Sequence, residues 1–243
     1  MKTSLSVKLL RHTENPELLV ALSARLCYSR DSIDDLLGKT EKQRQDAFLR
    51  GVMESGHLSV LEHASFTFAI EGVSRVLLAQ ITRHRIASFS VQSQRYVSSE
   101  EGFSYIVPPA IEALGEEAVR TYEEQMRIMH GFYVSWQEKL GKTGEASNED
   151  ARFVLPGAAE TRMVLTMNAR ELLHFFALRC CNRAQWEIRA LAKKMLSCVY
   201  PAAPVLFEKA GPGCISGVCP EGKRSCGQQA AVKEIFCEMK KRR

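Results

Sequence analysis

The sequence predicts an α+β fold, with a mixed or antiparallel sheet flanked by long helices. Short segments alternate apolar and polar residues, as half-buried strands do, while longer ones repeat apolar residues every three or four positions, as helices do. These segments follow no regular strand–helix rhythm, so a doubly wound parallel sheet is disfavoured. We expect a single domain over residues 1–210, followed by a basic tail rich in Cys and Gly over residues 211–243.

The first strand is predicted in SLSVKLLRH, where Leu5, Val7 and Leu9 alternate along the chain. A helix is predicted next in NPELLVALSARLCYS. Asn15 suits its N-cap, Pro16 fits the first helical position, and three leucines spaced four residues apart share one face.

The next three elements extend to residue 85. EKQRQDAFLRGVMES predicts a helix that stops at Gly56, a residue suited to a helix C-terminus. In SFTFAI the alternation of Phe66, Phe68 and Ile70 predicts a half-buried strand. SRVLLAQITRHR predicts a further helix, residues 74–85.

The second half of the chain predicts a long amphipathic helix over residues 111–140, where apolar residues recur at helical spacing. GKTGEASNED is expected to be a loop, and the alternating segment TRMVLTMN a strand. Asn168 can cap the helix that follows, with Glu171 at the third position, as in a capping box. A helical pattern resumes from Ala184 to about Tyr200.

Composition and charge are typical of a globular protein without an extended nucleic-acid surface. Hydrophobic residues make up 45% of the chain and charged residues 25%. The net charge is +5, and EMKKRR at the C-terminus, with four bases and one acid, carries +3 of it. No apolar run approaches the roughly 18 residues of a membrane span, and no signal segment is seen. We therefore expect a cytoplasmic protein that binds neither nucleic acid nor membranes.

Several motifs of common enzymes do not occur in the sequence. It contains no Walker or GxGxxG phosphate loop, no GxSxG elbow, no Cys-centred nucleophile motif and no carboxylate pair at catalytic spacing. Any phosphate would have to be bound by arginines and by helix or turn amides. The polar residues are suited to binding and orienting, with the hard chemistry left to a cofactor.

Polar residues suited to ligand binding lie in four segments: SGHLSVLEHASF, AQITRHRIASFSVQSQRY, DARFVLP and MNARELLHFFALRCCNRAQWEIR. Taken alone, the Arg83–Arg85 triplet fits either a solvated helix end or a site for an anion, and Gln80 and Arg83 would share a helical face. A lone Arg152 is typical of a surface position. Arg170 and His174 lie one turn apart on a helix rich in Leu and Phe, which favours function more strongly.

At RHRIASFSVQS the sequence resembles a known family. Arg83, His84 and Arg85, then seven residues and Ser93, are similar to the signature of the flavin-dependent thymidylate synthases. GHLSVLEHASFTF, RFVLP and NARELLHFFALRCCNRAQWEIR resemble the other blocks of that family, in the same order. The matches run from about residue 56 to 189, somewhat over half of the chain.

The resemblance implies a homotetramer of α+β subunits with active sites at subunit interfaces. It implies FAD as cofactor, with NADPH and 5,10-methylenetetrahydrofolate as co-substrates. The substrate would be dUMP, and the products dTMP and tetrahydrofolate.

The resemblance also implies the residues of the site. Those expected to bind FAD are His57, Ser59, Arg83, His84, Arg85, Val91, Asn168, Arg170 and His174. Those expected to bind dUMP are Gln80, Arg83, Gln92, Ser93, Gln94, Arg95, Arg152 and Arg179. Arg179 would be catalytic by favouring ionisation at N3 of the uracil, since a fixed cation stabilises a developing anion.

The sequence departs from the family pattern in the turn after the triplet. Ser90 stands where members often have Asn, and Val91 stands where they often have Glu. Val91 offers no carboxylate, so a contact there would use its backbone or pass to Gln92. His174 replaces the Asn of some members, and both donate hydrogen bonds. Ser93 is assigned to binding, because no general base lies at a readable spacing.

Two other functions are compatible with some of these residues. An RNA-binding domain would use the Arg83–Arg85 triplet and the basic tail, but the near-neutral body disfavours it. A metal-dependent hydrolase would use His57, Glu62, His63 and His84, although these show no firm ligand spacing. In the tail, Cys214, Cys219, Cys226 and Cys237 fit either reduced surface thiols or, at unusually wide spacing, zinc ligands; the first is favoured, and we expect no metal.

Overall fold

A computed structural model describes residues 1–241 of the protein; the last two bases of the predicted basic tail, at positions 242 and 243, lie outside the described residues. The strands are β1 (Ser6–His12), β2 (Ser65–Ser74), β3 (Ala87–Val91) and β4 (Glu160–Asn168). The helices are α1 (Pro16–Leu26), α2 (Ile33–Glu41), α3 (Asp46–Glu54), α4 (Arg75–Ile81), α5 (Pro109–Glu112), α6 (Glu116–Lys139), α7 (Glu145–Ala151), α8 (Ala169–Arg179), α9 (Trp186–Val199) and α10 (Gln229–Lys241). Short 3-10 helices occupy Leu58–His63, Arg152–Val154 and Gly222–Arg224.

The α+β prediction is confirmed. Within the described residues the strands form a four-stranded sheet in the order β1–β2–β4–β3. The pairing is antiparallel: the amide of Thr13, just after β1, donates to the carbonyl of Ser65 at the start of β2 at 2.9 Å. Farther along, the hydroxyls of Thr67 in β2 and Thr166 in β4 lie 2.9 Å apart.

The chain forms two compact units. The first unit comprises residues 1–6, 70–83 and 89–164, and the second comprises residues 7–69, 84–88 and the chain from 165 onward. In the first unit, Leu77 of α4, Tyr133 of α6 and Met163 of β4 are buried. In the second unit, Phe66 and Phe176 meet the ring of Phe207 edge-on, with centroids 5.3 and 6.0 Å from it.

The alternating segments fold as predicted. Phe66, Phe68 and Ile70 of β2 are at most 2% exposed, and in β4 every second residue from Thr161 to Met167 is buried. The pattern does not predict β3, because ASFSV alternates exposed serines with residues that are only half buried. The sequence also misses α2, which comes before the helix predicted in EKQRQDAFLRGVMES. That helix begins only at Asp46.

Three other helical limits are wrong. Helix α4 ends at Ile81, before the Arg83–Arg85 triplet, and the Thr82 hydroxyl donates to the carbonyl of Leu78 at 2.9 Å. Gly115, with φ of 99°, divides the helix predicted over 111–140 into α5 and α6. The predicted loop 141–150 contains all of α7 except its last residue, because the polar sequence of this helix has no amphipathic pattern.

Helix α1 starts at Pro16 as predicted, but its cap and its buried face differ. Asn15 adopts a left-handed backbone with φ of 42°, and its side chain makes no capping hydrogen bond. The helix buries Val20 and Ala21, whereas Leu26 is 48% exposed. The buried face of α1 is therefore formed by small residues and not by the three leucines.

Gly72 is required by a close backbone approach within the first unit. Its φ is 69°, and a Cβ added there would lie 1.9 Å from the carbonyl oxygen of Ser4. Its amide donates to Oε1 of Glu160 at 3.0 Å, which holds the strand in this position. Only glycine combines this φ with this space.

We expect Gly72→Ala to lower the free energy of unfolding by more than about 1 kcal/mol, because the methyl group meets backbone and the φ is strained. Thermal and urea unfolding measure the effect. The matched control is Gly51→Ala: Gly51 lies in α3 with open space around its Cβ position. That change should raise stability by about 0.5–1 kcal/mol. Equal melting temperatures for wild type and Gly72→Ala would contradict the close approach.

Candidate active site

The Arg83–Arg85 triplet lies in the irregular connection between α4 and β3. The side chains of Arg83 and Arg85 are exposed, whereas His84 between them is buried. Arg83 belongs to the first unit, while His84 and Arg85 belong to the second. Since α4 has already ended, the helical face predicted for Gln80 and Arg83 is wrong, although the Arg83 amide still donates to the Gln80 carbonyl at 3.4 Å.

His84 is bonded at both ring nitrogens to helix α8 of its own unit. Its Nδ1 lies 2.9 Å from Oε1 of Glu171. Its Nε2 accepts a hydrogen bond from Nε of Arg179 at 3.1 Å. Since Arg179 can only donate and the Glu171 carboxylate accepts, these partners fix the neutral tautomer with the proton on Nδ1. His84 is only 5% exposed, so this chain of contacts is buried at its centre.

The surroundings keep His84 neutral. Burial lowers the pKa of His84 most strongly, and the Arg179 and His174 charges lower it further, while the hydrogen bond from His84 to the Glu171 carboxylate and the charge of that carboxylate oppose the change. The folded state therefore disfavours the protonated ring. The stability that this histidine contributes is present above its ordinary pKa of 6.5 and is lost as the pH falls through the lower folded value.

Helix α8 is fixed at its N-terminus by Asn168, as the sequence predicts. The Asn168 side chain accepts a hydrogen bond from the Glu171 amide at 2.9 Å, and the Ala169 amide donates to the carbonyl of Ala64 at 2.7 Å. Only this half of the predicted capping box forms, because the Glu171 side chain bonds His84 instead. Glu171 is 7% exposed, a functional candidate that the sequence reasoning treated only as a cap. The available signal was its position four residues before the buried Phe175, on the buried face of the helix.

Most residues predicted to bind flavin lie in the second unit: His57, Ser59, His84, Arg85, Asn168, Arg170 and His174. His57 and Ser59 are exposed at the start of the 3-10 helix Leu58–His63, and His174 is exposed on α8. Arg170 forms an exposed ion pair with Glu62 at 2.5 Å. The other two predicted flavin residues, Arg83 and Val91, belong to the first unit.

Most residues predicted to bind the nucleotide lie in the first unit: Gln80, Arg83, Gln92, Ser93, Gln94, Arg95 and Arg152. Only Arg179 of this set belongs to the second unit. Arg152 donates from Nε to the carbonyl of Glu149 at 3.1 Å. The sequence reasoning passed over Arg75, the first residue of α4; burial first, and the Arg152 charge second, lower the pKa of its guanidinium. Like charge on Arg152 thus disfavours the charged form of Arg75.

A buried polar network holds the turn after β3 against α6 and α7. The Asn148 side chain donates to the carbonyl of Arg95 at 3.1 Å and accepts from Gln137 at 2.6 Å and from Tyr133 at 3.2 Å. Gln137 also donates to the Ser98 hydroxyl at 3.1 Å. These contacts order the segment that carries the predicted nucleotide residues.

Arg95 in the same turn is already paired. Its guanidinium lies 2.7 Å from a carboxylate oxygen of Glu145 and 2.8 Å from one of Glu149, both on α7. The ion pairs are about half exposed, so water screens them and their contribution to stability is small. They orient the side chain and offset its charge.

The described part of the chain contains neither a metal-binding cluster nor a membrane-spanning helix. Among residues 1–241 no group of three or more His, Cys, Asp or Glu side chains is arranged to hold a metal ion. This applies to the tail cysteines and to the histidines weighed for a hydrolase. In the tail, burial raises the pKa of the Cys214 thiol, and the neighbouring Cys219 adds to the shift. Within the same residues no helix is both long and apolar enough to span a bilayer.

Comparison with known proteins gives consistent matches along the chain. A family model described as thymidylate synthase complementing protein matches residues 8–205. The flavin-dependent thymidylate synthase of Geobacter sulfurreducens is 52% identical over 236 residues, covering 97% of this chain and 99% of that protein. The protein of the same name from Clostridium tetani is 46% identical over 241 residues, covering 95% of this chain and 96% of that protein.

A solved structure extends the likeness to the fold. The crystal structure of a UMP/dUMP methylase from Streptomyces cacaoi, bound with 5-Br dUMP, matches with a TM-score of 0.69 and 26% identity. The match covers 85% of this chain and 95% of that one.

We expect Asn148→Ala to release the turn after β3, because it removes the acceptor shared by Gln137 and Tyr133 and the donor to the Arg95 carbonyl. The free energy of unfolding should fall by about 1–3 kcal/mol. Trypsin should also cut faster after Arg95, which limited proteolysis with mass spectrometry measures. Asp150→Ala, an exposed change near the end of the same helix, is the control. Unchanged cleavage after Arg95 in Asn148→Ala would show that the network does not order the turn.

Proposed function

The chain belongs to the flavin-dependent thymidylate synthase family, as its motifs predict, and on that premise we propose that it converts dUMP to dTMP by reductive methylation. It is a methyltransferase that uses a flavin cofactor. In our proposal the flavin is FAD, the one-carbon donor is 5,10-methylenetetrahydrofolate and the reductant is NADPH. The reaction would take place in the cytoplasm.

The proposal depends on one observation: Arg179, the last residue of α8, donates a hydrogen bond from its guanidinium to the buried ring of His84. A guanidinium stays charged at any physiological pH and donates hydrogen bonds in a fixed plane. Beside the uracil ring it would stabilise negative charge as the N3 proton leaves. The anionic ring is richer in electrons at C5, the carbon that receives the one-carbon unit.

The residues proposed for the flavin fit its chemistry. Arg83 and Arg85 expose cationic donors suited to a pyrophosphate, and Arg170 exposes another. His57 and His174 add exposed imidazoles. When bound, the flavin supplies the redox chemistry; the residues of this chain bind it and orient it. Ser59, His84 and Asn168 complete the proposed set, and Val91 would contribute through its backbone.

The residues proposed for the nucleotide follow the turn after β3. Ser93, Gln94 and Arg95 would bind dUMP together with Gln80, Arg83, Gln92 and Arg152. The turn is supported by the Asn148 network, so its donors are ordered before a ligand arrives. Order established in advance lowers the entropy lost on binding.

The assembly is also proposed from the family: a homotetramer with active sites at subunit interfaces. An apolar stripe on α6 supports it, because Ile128, Phe132 and Trp136 recur every four residues and are 46%, 55% and 47% exposed. Residues 1–210 are proposed as the catalytic domain and residues 211–243 as the tail.

We expect the purified protein to be yellow and to release tritium from 5-tritiated dUMP. Release should require both NADPH and 5,10-methylenetetrahydrofolate, and dTMP should appear in equal amount by chromatography. Omitting each co-substrate in turn provides the controls. A colourless protein that neither takes up FAD nor releases tritium would refute the proposed function.

We expect Arg179→Ala to abolish turnover, with a loss of kcat on the order of 100-fold or more, because the developing anion loses its fixed cation. Bound flavin, measured from the visible absorbance, should remain. Arg120→Ala, at an exposed position on α6, should behave as wild type. If Arg179→Ala loses flavin while Arg120→Ala keeps it, the role assigned to Arg179 is wrong.

A further inference from the structure

We propose that Glu171 and His84 form a positioning array that fixes the Arg179 guanidinium and the His84 tautomer on which its orientation depends. The inference rests on the proposed function, since it assigns the array to the same reaction. Neither Glu171 nor the His84 ring is then a direct ligand of the substrate. Any contribution of His84 to flavin binding would come from its backbone.

The array is held in one arrangement from both ends. Glu171 accepts from Nδ1 of His84 at 2.9 Å, so the opposite nitrogen carries a lone pair. That lone pair accepts from Nε of Arg179 at 3.1 Å. Arg179 makes this contact through its Nε.

Packing fixes the plane of the imidazole. The ring of Phe175 meets it edge-on, with centroids 5.0 Å apart and planes at 80°. His174 meets it at 5.9 Å and 62°. A ring held in this way aims Nε2 in one direction, and the guanidinium plane follows, because the hydrogen bond constrains it.

The burial of the array distinguishes it from an ordinary surface contact. Glu171 is 7% and His84 is 5% exposed, whereas Arg179 is half-buried. Buried polar chains are costly unless every member is bonded, and apolar residues could fill the same space more cheaply. A chain that runs from a buried carboxylate to a half-exposed cation is suited to orienting that cation.

The array also predicts how the reaction responds to acid. The charged or titratable groups around the ring are Glu171, Arg179 and His174 on α8, with Arg83 and Arg85 adjacent in the chain. Protonating His84 removes the acceptor for Arg179 and sets an imidazolium against a guanidinium. Activity should therefore fall as His84 becomes protonated, which happens at a pH below its ordinary pKa of 6.5.

The decisive variant is Glu171→Gln, which keeps a hydrogen-bond acceptor but removes the charge that favours imidazolium. We expect the acid limb of the kcat/KM profile to move to lower pH, and His84→Gln, which cannot titrate, to lose that limb. Glu234→Gln, an exposed change on α10, should leave the limb in place. A merely structural role would lower stability without moving the limb. An unmoved limb in Glu171→Gln, or an unchanged one in His84→Gln, would overturn the proposal.

A second measurement separates this proposal from the proposed function. In protein labelled with 15N at histidine rings and arginine Nε, NMR should show a protected Arg179 Nε proton and a His84 ring protonated at Nδ1. His84→Leu should lose that protection and lower kcat about 100-fold while flavin stays bound. If the wild type shows the protected proton but no synthase activity, the proposed function fails and the geometry of the array stands. If the proton is unprotected in an active enzyme, the array is wrong.

Discussion

The hydrogen bond between His84 and Glu171 is the interaction on which the proposed catalytic group depends. It connects the segment that follows α4 to the first turn of α8, within one compact unit, across 87 positions of the sequence. A neutral imidazole buried between a carboxylate and a guanidinium is stable only in one tautomer. Loss of either partner would leave a buried polar nitrogen without a bond, which costs about 1–3 kcal/mol.

In the first unit, buried hydrogen bonds order the turn after β3, whereas in the second unit they orient the side chain of Arg179. Asn148 joins α7 to the Arg95 carbonyl, and Tyr133 and Gln137 join α6 to the same amide. The proposed nucleotide segment is thus supported from beneath by neutral groups. The Arg95 guanidinium in this segment is partly exposed, and Glu145 and Glu149 offset its charge. Binding then needs little further ordering, which is the usual advantage of a rigid support.

Apolar periodicity predicts the strands and helices that bury an apolar face. It does not predict the elements that pack through polar side chains. β2 and β4 are predicted well, since apolar alternation leaves only one way to bury Phe66 or Leu165. Helix α7 is not predicted because its sequence, EASNEDA, has no apolar face. Its packing depends instead on the hydrogen bonds of Asn148. Glu171 is a similar case: at capping-box spacing it predicts a cap, but a buried histidine offers its side chain a stronger partner.

The sequence by itself determined the α+β class, most of the strands and the family, because periodicity and motif spacing are properties of the chain alone. It also identified Arg83, His84 and Arg85 as one motif. Tertiary structure decided that these three neighbours differ: the arginines are exposed, while His84 is buried and bonded to Glu171 and Arg179. Pattern could not show this, since a hydrogen bond between distant segments depends on how the chain packs and on which polar groups lose water.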